Sequence, residues 1–149
     1  VKKFKFRLDP VLRYRRYLER LALMELAKAK TAIALTTSEI AKREALKKEA
    51  AAGLGLRETE GMSVREHRIY AAYLRGLDDQ IEGAKVRLAK LVEDVRKKHE
   101  AAEAHRVKKE TLEAIRNKEH NDHLEKFYRA QQKEADELFG LRHKIVMFQ

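Results

Sequence analysis

The stretch Ala52-Gly53-Leu54-Gly55-Leu56-Arg57-Glu58-Thr59-Glu60-Gly61-Met62, continuing into Ser63-Val64-Arg65-Glu66, decides how this chain folds. Three of the chain's six glycines fall here, while its one proline, Pro10, stands near the beginning. Glycine weakens a helix and proline is poorly tolerated inside one, so these interruptions outline two helices of unequal length. The first is predicted over about 10–52 and the second over about 63–146, joined by a Gly-rich turn at 53–62. Ser63 and Glu66 have capping-box spacing, with Ser63 at the N-cap and Glu66 reaching back from three residues on. At the other start, Asp9 can cap the first exposed amides and Pro10 suits the first helical position.

Composition agrees with long helices. The 149 residues are 39% charged and 7% aromatic, with no Trp, which does not suit a thick globular core. A hairpin burying one narrow stripe per helix reconciles 44% hydrophobic residues with a mean hydropathy of -0.65. No apolar run approaches the roughly 18 to 20 residues that span a bilayer. The basic opening lacks the apolar h-region and cleavage site of a secretory signal. The absence of cysteine excludes disulfides, thiolate metal sites and cysteine nucleophiles, and fits a cytoplasmic protein. The expected fold is therefore all-α, an antiparallel two-helix coiled-coil hairpin forming a single domain over 1–149, with the second helix extending beyond the first.

Helix one carries Val11, Leu18, Ala22, Ala29, Ile33 and Ile40, spaced alternately by seven and four residues, a period that coils little or slightly right-handed. Helix two carries a sharper heptad seam, Leu74, Leu77, Ile81, Ala84, Leu88, Leu91 and Val95, which calls for a partner helix. Continued, this register gives Lys98, Ala102, His105, Lys109 and Leu112, so the apolar stripe fades. Folding about the glycines makes paired residue numbers add to about 116, which sets Val11 against roughly His105. Beyond about residue 107 helix two then lacks an intrachain partner. Leu124, Phe127, Tyr128, Leu138, Leu141, Ile145, Met147 and Phe148 nevertheless follow, an apolar face that implies another chain. At about 1.5 Å per residue helix two extends on the order of 120 Å, the proportions of a rod.

The formal net charge of +10 is unevenly placed, with +6 in residues 1–20 and +4 in residues 96–109. The antiparallel register predicts these segments side by side at the end away from the turn, where self-repulsion favours an acidic partner. Nucleic acid, anionic lipid and an acidic protein cavity all meet that electrostatic requirement. Phe4-Lys5-Phe6-Arg7-Leu8 alternates apolar and basic residues, as does a short extended segment or an anionic-surface anchor. No RNA-binding or helix-turn-helix motif accompanies it, and nucleic acid is not the expected partner.

Catalytic patterns do not assemble. Gly53-Leu54-Gly55 lacks the glycine, lysine and hydroxyl spacing of a phosphate loop. His120 and His123, near Glu119 and Asp122, could share a helical face as a metal pair, but neither HExxH nor the Glu-x-x-His spacing of helical di-iron sites occurs. Solvent-facing polar residues are the expected reading. Ser38 and Ser63 have no base-and-acid constellation, so no enzyme activity and no cofactor are expected.

The opening Phe4-Lys5-Phe6-Arg7-Leu8-Asp9-Pro10-Val11-Leu12-Arg13, leading through Tyr17-Leu18-Glu19 to Leu26-Ala27-Lys28-Ala29, resembles the start of FliJ-family proteins. The resemblance extends through Ser63-Val64-Arg65-Glu66 and Tyr70-Ala71-Ala72-Tyr73-Leu74-Arg75-Gly76-Leu77 and covers essentially the whole chain. It implies a noncatalytic component of the bacterial flagellar type III export apparatus, similar to the coiled-coil stalk of rotary ATPases. One end of such a rod enters the hexameric export ATPase; the rod also engages the cytoplasmic part of the export gate and takes part in export-chaperone traffic. The implied location is cytoplasmic and peripheral at the inner face of the cell membrane. The gate-contacting pattern is matched by Tyr73 and Leu77, whereas Gln80 and Ala84 depart from some relatives, as do Leu46 and Ala50. For the ATPase ring the candidates are Phe4, Phe6, Arg13, Arg15, Arg16, Lys97, Lys98 and Lys108, at the basic end. The residues alone also admit a basic coiled coil that binds nucleic acid, or a structural coiled coil self-associating through 112–148.

Overall fold

The computed structural model describes residues 2–148. It is all-α, with helix α1 at Asp9–Glu60 and helix α2 at Val64–Met147. By contacts the chain divides into a terminal unit, Val1–Arg20 with Ala104–Gln149, and a turn unit, Leu21–Glu103. In each, a segment of α1 packs antiparallel to a segment of α2.

The turn is shorter than the glycine cluster predicts. Helix α1 runs through Gly53 and Gly55 and stops at Glu60, leaving only Gly61–Ser63 between the helices. An isolated glycine costs a helix about 1 kcal/mol relative to alanine, which an alanine-rich helix packed on a neighbour tolerates. What ends the helix is backbone handedness: Gly61 has a φ of 95°, the left-handed cap that glycine adopts without steric penalty. The Ser63 hydroxyl oxygen accepts from the Glu66 amide at 3.2 Å, as the capping box predicts. The Glu66 carboxylate, however, accepts from Arg57 at 2.8 Å across the turn.

Extending α1 shifts the pairing. In the turn unit Lys47 meets Asp78, so paired numbers add to about 125 rather than 116. In the terminal unit Arg16 meets Glu113 at 3.3 Å, where the earlier register put Val11 beside His105. Cover for α2 consequently continues past residue 107: the Phe4 ring lies against His120 and His123, with centroids 4.9 and 5.7 Å away.

The seam of α2 is the predicted one, with Leu77, Ile81 and Ala84 buried and Leu74, Leu88, Leu91 and Val95 half-buried. On α1, Ala22, Ala29, Ile33 and Ile40 face inward as expected, but the repeat is a heptad. An unbroken series of buried or half-buried positions, Leu12, Arg15, Glu19, Ala22, Leu26, Ala29, Ile33, Thr36, Ile40, Arg43, Lys47, Ala50 and Leu54, runs in steps of three and four, with Leu18, Ala32, Glu39 and Gly53 half-buried beside it. Val11, placed in the seam by an eleven-residue period, is 43% exposed, whereas its neighbour Leu12 is fully buried. Within the turn unit Ile40, Ile81 and Ala84 form a core cluster that Leu88 joins.

Candidate functional site

Residues 2–8 form a strap preceding α1, and its alternation sorts side chains by chemistry. Phe6 is buried and Phe4 half-buried, whereas Lys3, Lys5 and Arg7 are exposed. Successive side chains of an extended segment point to opposite sides, so Phe4 and Phe6 pack inward and Lys3 and Lys5 face water, while Arg7 lies exposed in the turn leading into α1. The strap joins the helix through the Asp9 amide, which donates to the Phe6 carbonyl at 3.1 Å. Asp9 itself pairs with Arg13 at 2.9 Å. His120 and His123, the metal pair considered above, are instead the surface on which Phe4 rests.

Deeper in the terminal unit, the Lys109 ammonium lies 3.1 and 3.0 Å from the two Glu19 carboxylate oxygens. Their side chains are only 20% and 16% exposed, the most sheltered ion pair between the helices among those of the described residues. The second oxygen lacks hydrogen-bond alignment, so charge attraction rather than a directional bond holds it. Arg13, Arg16, Glu19, Arg20, Lys109 and Glu113 line an open groove here. Both its carboxylates are neutralised within it, Glu19 by Lys109 and Glu113 by Arg16.

Of the ATPase-ring candidates, Phe4, Phe6, Arg13, Arg15, Arg16 and Lys108 lie in the terminal unit, and Lys97 and Lys98 in the turn unit. Phe4 and Phe6 are packing residues. Arg13 and Arg16 are ion-paired, and Lys98 lies 3.3 Å from Asp94 and 3.8 Å from Glu25. Arg15 is half-buried, while Lys97 and Lys108 are exposed. Lys3, Lys5 and Arg7 are not among the ring candidates, although the alternation of Phe4-Lys5-Phe6-Arg7-Leu8 marks Lys5 and Arg7 as part of an extended segment or anionic-surface anchor.

The gate-contact candidates divide likewise. Tyr73 is 47% exposed, but Leu77 is 5% exposed and committed to the helix seam. Gln80 accepts from Arg43 at 3.0 Å and Ala84 is fully buried, so this stretch presents Tyr73 over a packed floor. Elsewhere in the turn unit, charges are locally matched. A hydrogen bond from Arg43 and the nearby Arg87 hold the Glu39 carboxyl below its ordinary value, and Arg96 does the same for Glu93. Arg57 is raised by its hydrogen bond to Glu66, and Arg96 by Glu93 and Glu100.

Among the described residues, no helix is long and apolar enough to cross a membrane. Two long helices in antiparallel heptad contact, with charged and aromatic surfaces as the candidate sites, define a coiled-coil hairpin protein. The flagellar FliJ protein family model matches residues 4–144, and the chain belongs to that family. Membership associates it with the flagellum and its protein-export apparatus. Comparisons with curated proteins and with solved structures gave no match.

Proposed function

We propose that this chain is a noncatalytic stalk of the flagellar export apparatus, engaging the hexameric export ATPase and coupling it to the export gate. The observation that carries the reading is the family match over residues 4–144 of a two-helix hairpin. The ring contact uses Arg13, Arg15, Arg16 and Lys108 of the terminal unit, while Phe4 and Phe6 hold the strap in place. An acidic ring lining can exchange partners with surface ion pairs such as Arg13–Asp9, each worth at most about 1 kcal/mol. The gate contact centres on Tyr73, with Leu77 buried beneath it as support. Export chaperones are further partners, and the chain works in the cytoplasm, peripheral to the membrane.

The purified chain, added to its cognate flagellar export ATPase, is expected to raise hexamer content or hydrolysis. No change in either, together with no detectable binding, refutes the proposal. Tyr73→Ala is expected to weaken binding to the isolated cytoplasmic part of the gate while leaving the ATPase effect intact.

A further inference from the structure

The terminal unit carries two features that the stalk reading does not use. The first is uncompensated charge. Both carboxylates in residues 2–20 are committed, Asp9 to Arg13 and Glu19 to Lys109. Lys2, Lys3, Lys5 and Arg7 are exposed and form no ion pair among the described residues. Burial of Phe6 and the packing of Phe4 keep Lys3 and Lys5 on the strap's outer side, with Arg7 exposed in the turn that follows and Lys2 exposed at the strap's start. The second is the end of α2. Leu138, Phe139, Leu141, Ile145, Val146, Met147 and Phe148 are each more than half exposed, Phe148 at 90%.

The arrangement of these apolar side chains selects their partner. Leu138, Leu141, Ile145 and Phe148 follow three-four spacing and form one stripe, while Phe139 and Val146, a heptad apart, lie on a different side. A single partner helix covers one seam and leaves the other stripe wet. A fluid hydrocarbon boundary conforms to several sides at once, and Arg142, His143 and Lys144 can extend from such a boundary to headgroups. A nucleic acid takes such side chains only as isolated wedges between base steps, not as apolar surface on several sides of one helix. Durable attachment at a membrane surface takes two signals, an apolar insertion and a basic patch. We propose that the strap cations Lys2, Lys3, Lys5 and Arg7, together with the exposed end of α2, bind an anionic bilayer surface directly. The contact needs no other protein and is therefore independent of the ATPase reading.

Co-sedimentation of the full chain with vesicles tests this, using phosphatidylcholine alone and phosphatidylcholine containing about a quarter phosphatidylglycerol. Binding is expected only to the anionic vesicles and weakens as salt rises. A cation beside such a surface contributes a factor of about five, so Lys3→Gln/Lys5→Gln/Arg7→Gln should lower partitioning about a hundredfold. Ile145→Ser/Phe148→Ser should lower it by at least roughly tenfold, since both side chains are exposed before binding and buried after. All five positions are exposed, so both variants are expected to keep their helices, which circular dichroism checks. Failure to bind anionic vesicles, or equal binding to neutral ones, overturns the proposal. So does wild-type partitioning by either variant. Tighter binding to duplex DNA than to vesicles at equal phosphate concentration assigns the cations to nucleic acid and also overturns it.

Discussion

Two adjacent residues, Val11 and Leu12, decide which face of α1 is the seam. Leu12 is fully buried, and Leu12→Ala removes three carbons worth about 0.8 kcal/mol each before any cavity cost. With incomplete collapse around the void, the expected loss is roughly 3 kcal/mol. Val11 is 43% exposed, so Val11→Ala forfeits only about 0.9 kcal/mol of burial. The higher helix propensity of alanine returns about 0.5 kcal/mol of that, leaving a net change under about 0.5 kcal/mol. Urea titration followed by far-ultraviolet circular dichroism separates the two. At a slope of about 2 kcal/mol per molar, Leu12→Ala should lower the midpoint by about 1.5 M and Val11→Ala hardly at all. Limited trypsin digestion locates the damage, because the loosened segment carries Arg13, Arg15, Arg16 and Arg20. Equal cost for the two substitutions, or a Leu12→Ala loss below about 1 kcal/mol, would falsify the heptad seam and the register built on it.

The glycines should respond with opposite signs: Gly61→Ala, at a φ of 95°, is expected to cost about 1–2 kcal/mol in thermal unfolding. Gly55→Ala, facing open space, and Gly53→Ala, whose added carbon would lie 3.9 Å from the Tyr70 hydroxyl, are each expected to add about 0.5–1 kcal/mol. A stabilising Gly61→Ala would contradict the cap assigned here. Acid should weaken the fold in a defined window. The folded Glu39 and Glu93 carboxyls sit below their ordinary value of 4.5, so the unfolded chain takes up protons first. Their contribution is present in full above that value and is lost as pH falls through the lowered ones. Melting temperature should therefore drop on acidification, less steeply in Arg43→Met and less at high salt, since these groups are exposed. An acid limb identical in wild type and Arg43→Met would show that Glu39 is not part of it.

The α2 seam was legible because its large apolar residues repeat without interruption. Helix α1 was harder to read, because Arg15, Glu19, Arg43 and Lys47 occupy seam positions and carry no hydropathy signal. Counting only apolar residues then yields an eleven-residue period that picks the exposed Val11 in place of the buried Leu12, and Leu18, which is half-buried beside the heptad position Glu19. The glycines posed a different difficulty. Composition treats Gly53, Gly55 and Gly61 alike, yet only Gly61 is left-handed, and its place two residues before the Ser63 cap was the cue. That misreading carried into the pairing register and so into which basic residues face α2. Among the site candidates, Phe4 and Phe6 were selected for being aromatic near charge, but stacking and burial make them the strap's anchors. Leu77 was taken from a family pattern, and its burial follows from a heptad position that the same sequence displays.

The charges on facing helices of the turn unit have a mechanical consequence. In the present register Lys47 meets Asp78 and Glu39 meets Arg87. Sliding α2 one heptad toward the turn would put Lys85 beside Lys47 and Asp94 beside Glu39, two repulsive pairs in place of two attractive ones. Sliding it the other way offers Ala71 and Gln80, which merely lose the attraction. The hairpin is thus anisotropic under shear, and a load driving α2 toward the turn meets more resistance than one drawing it away.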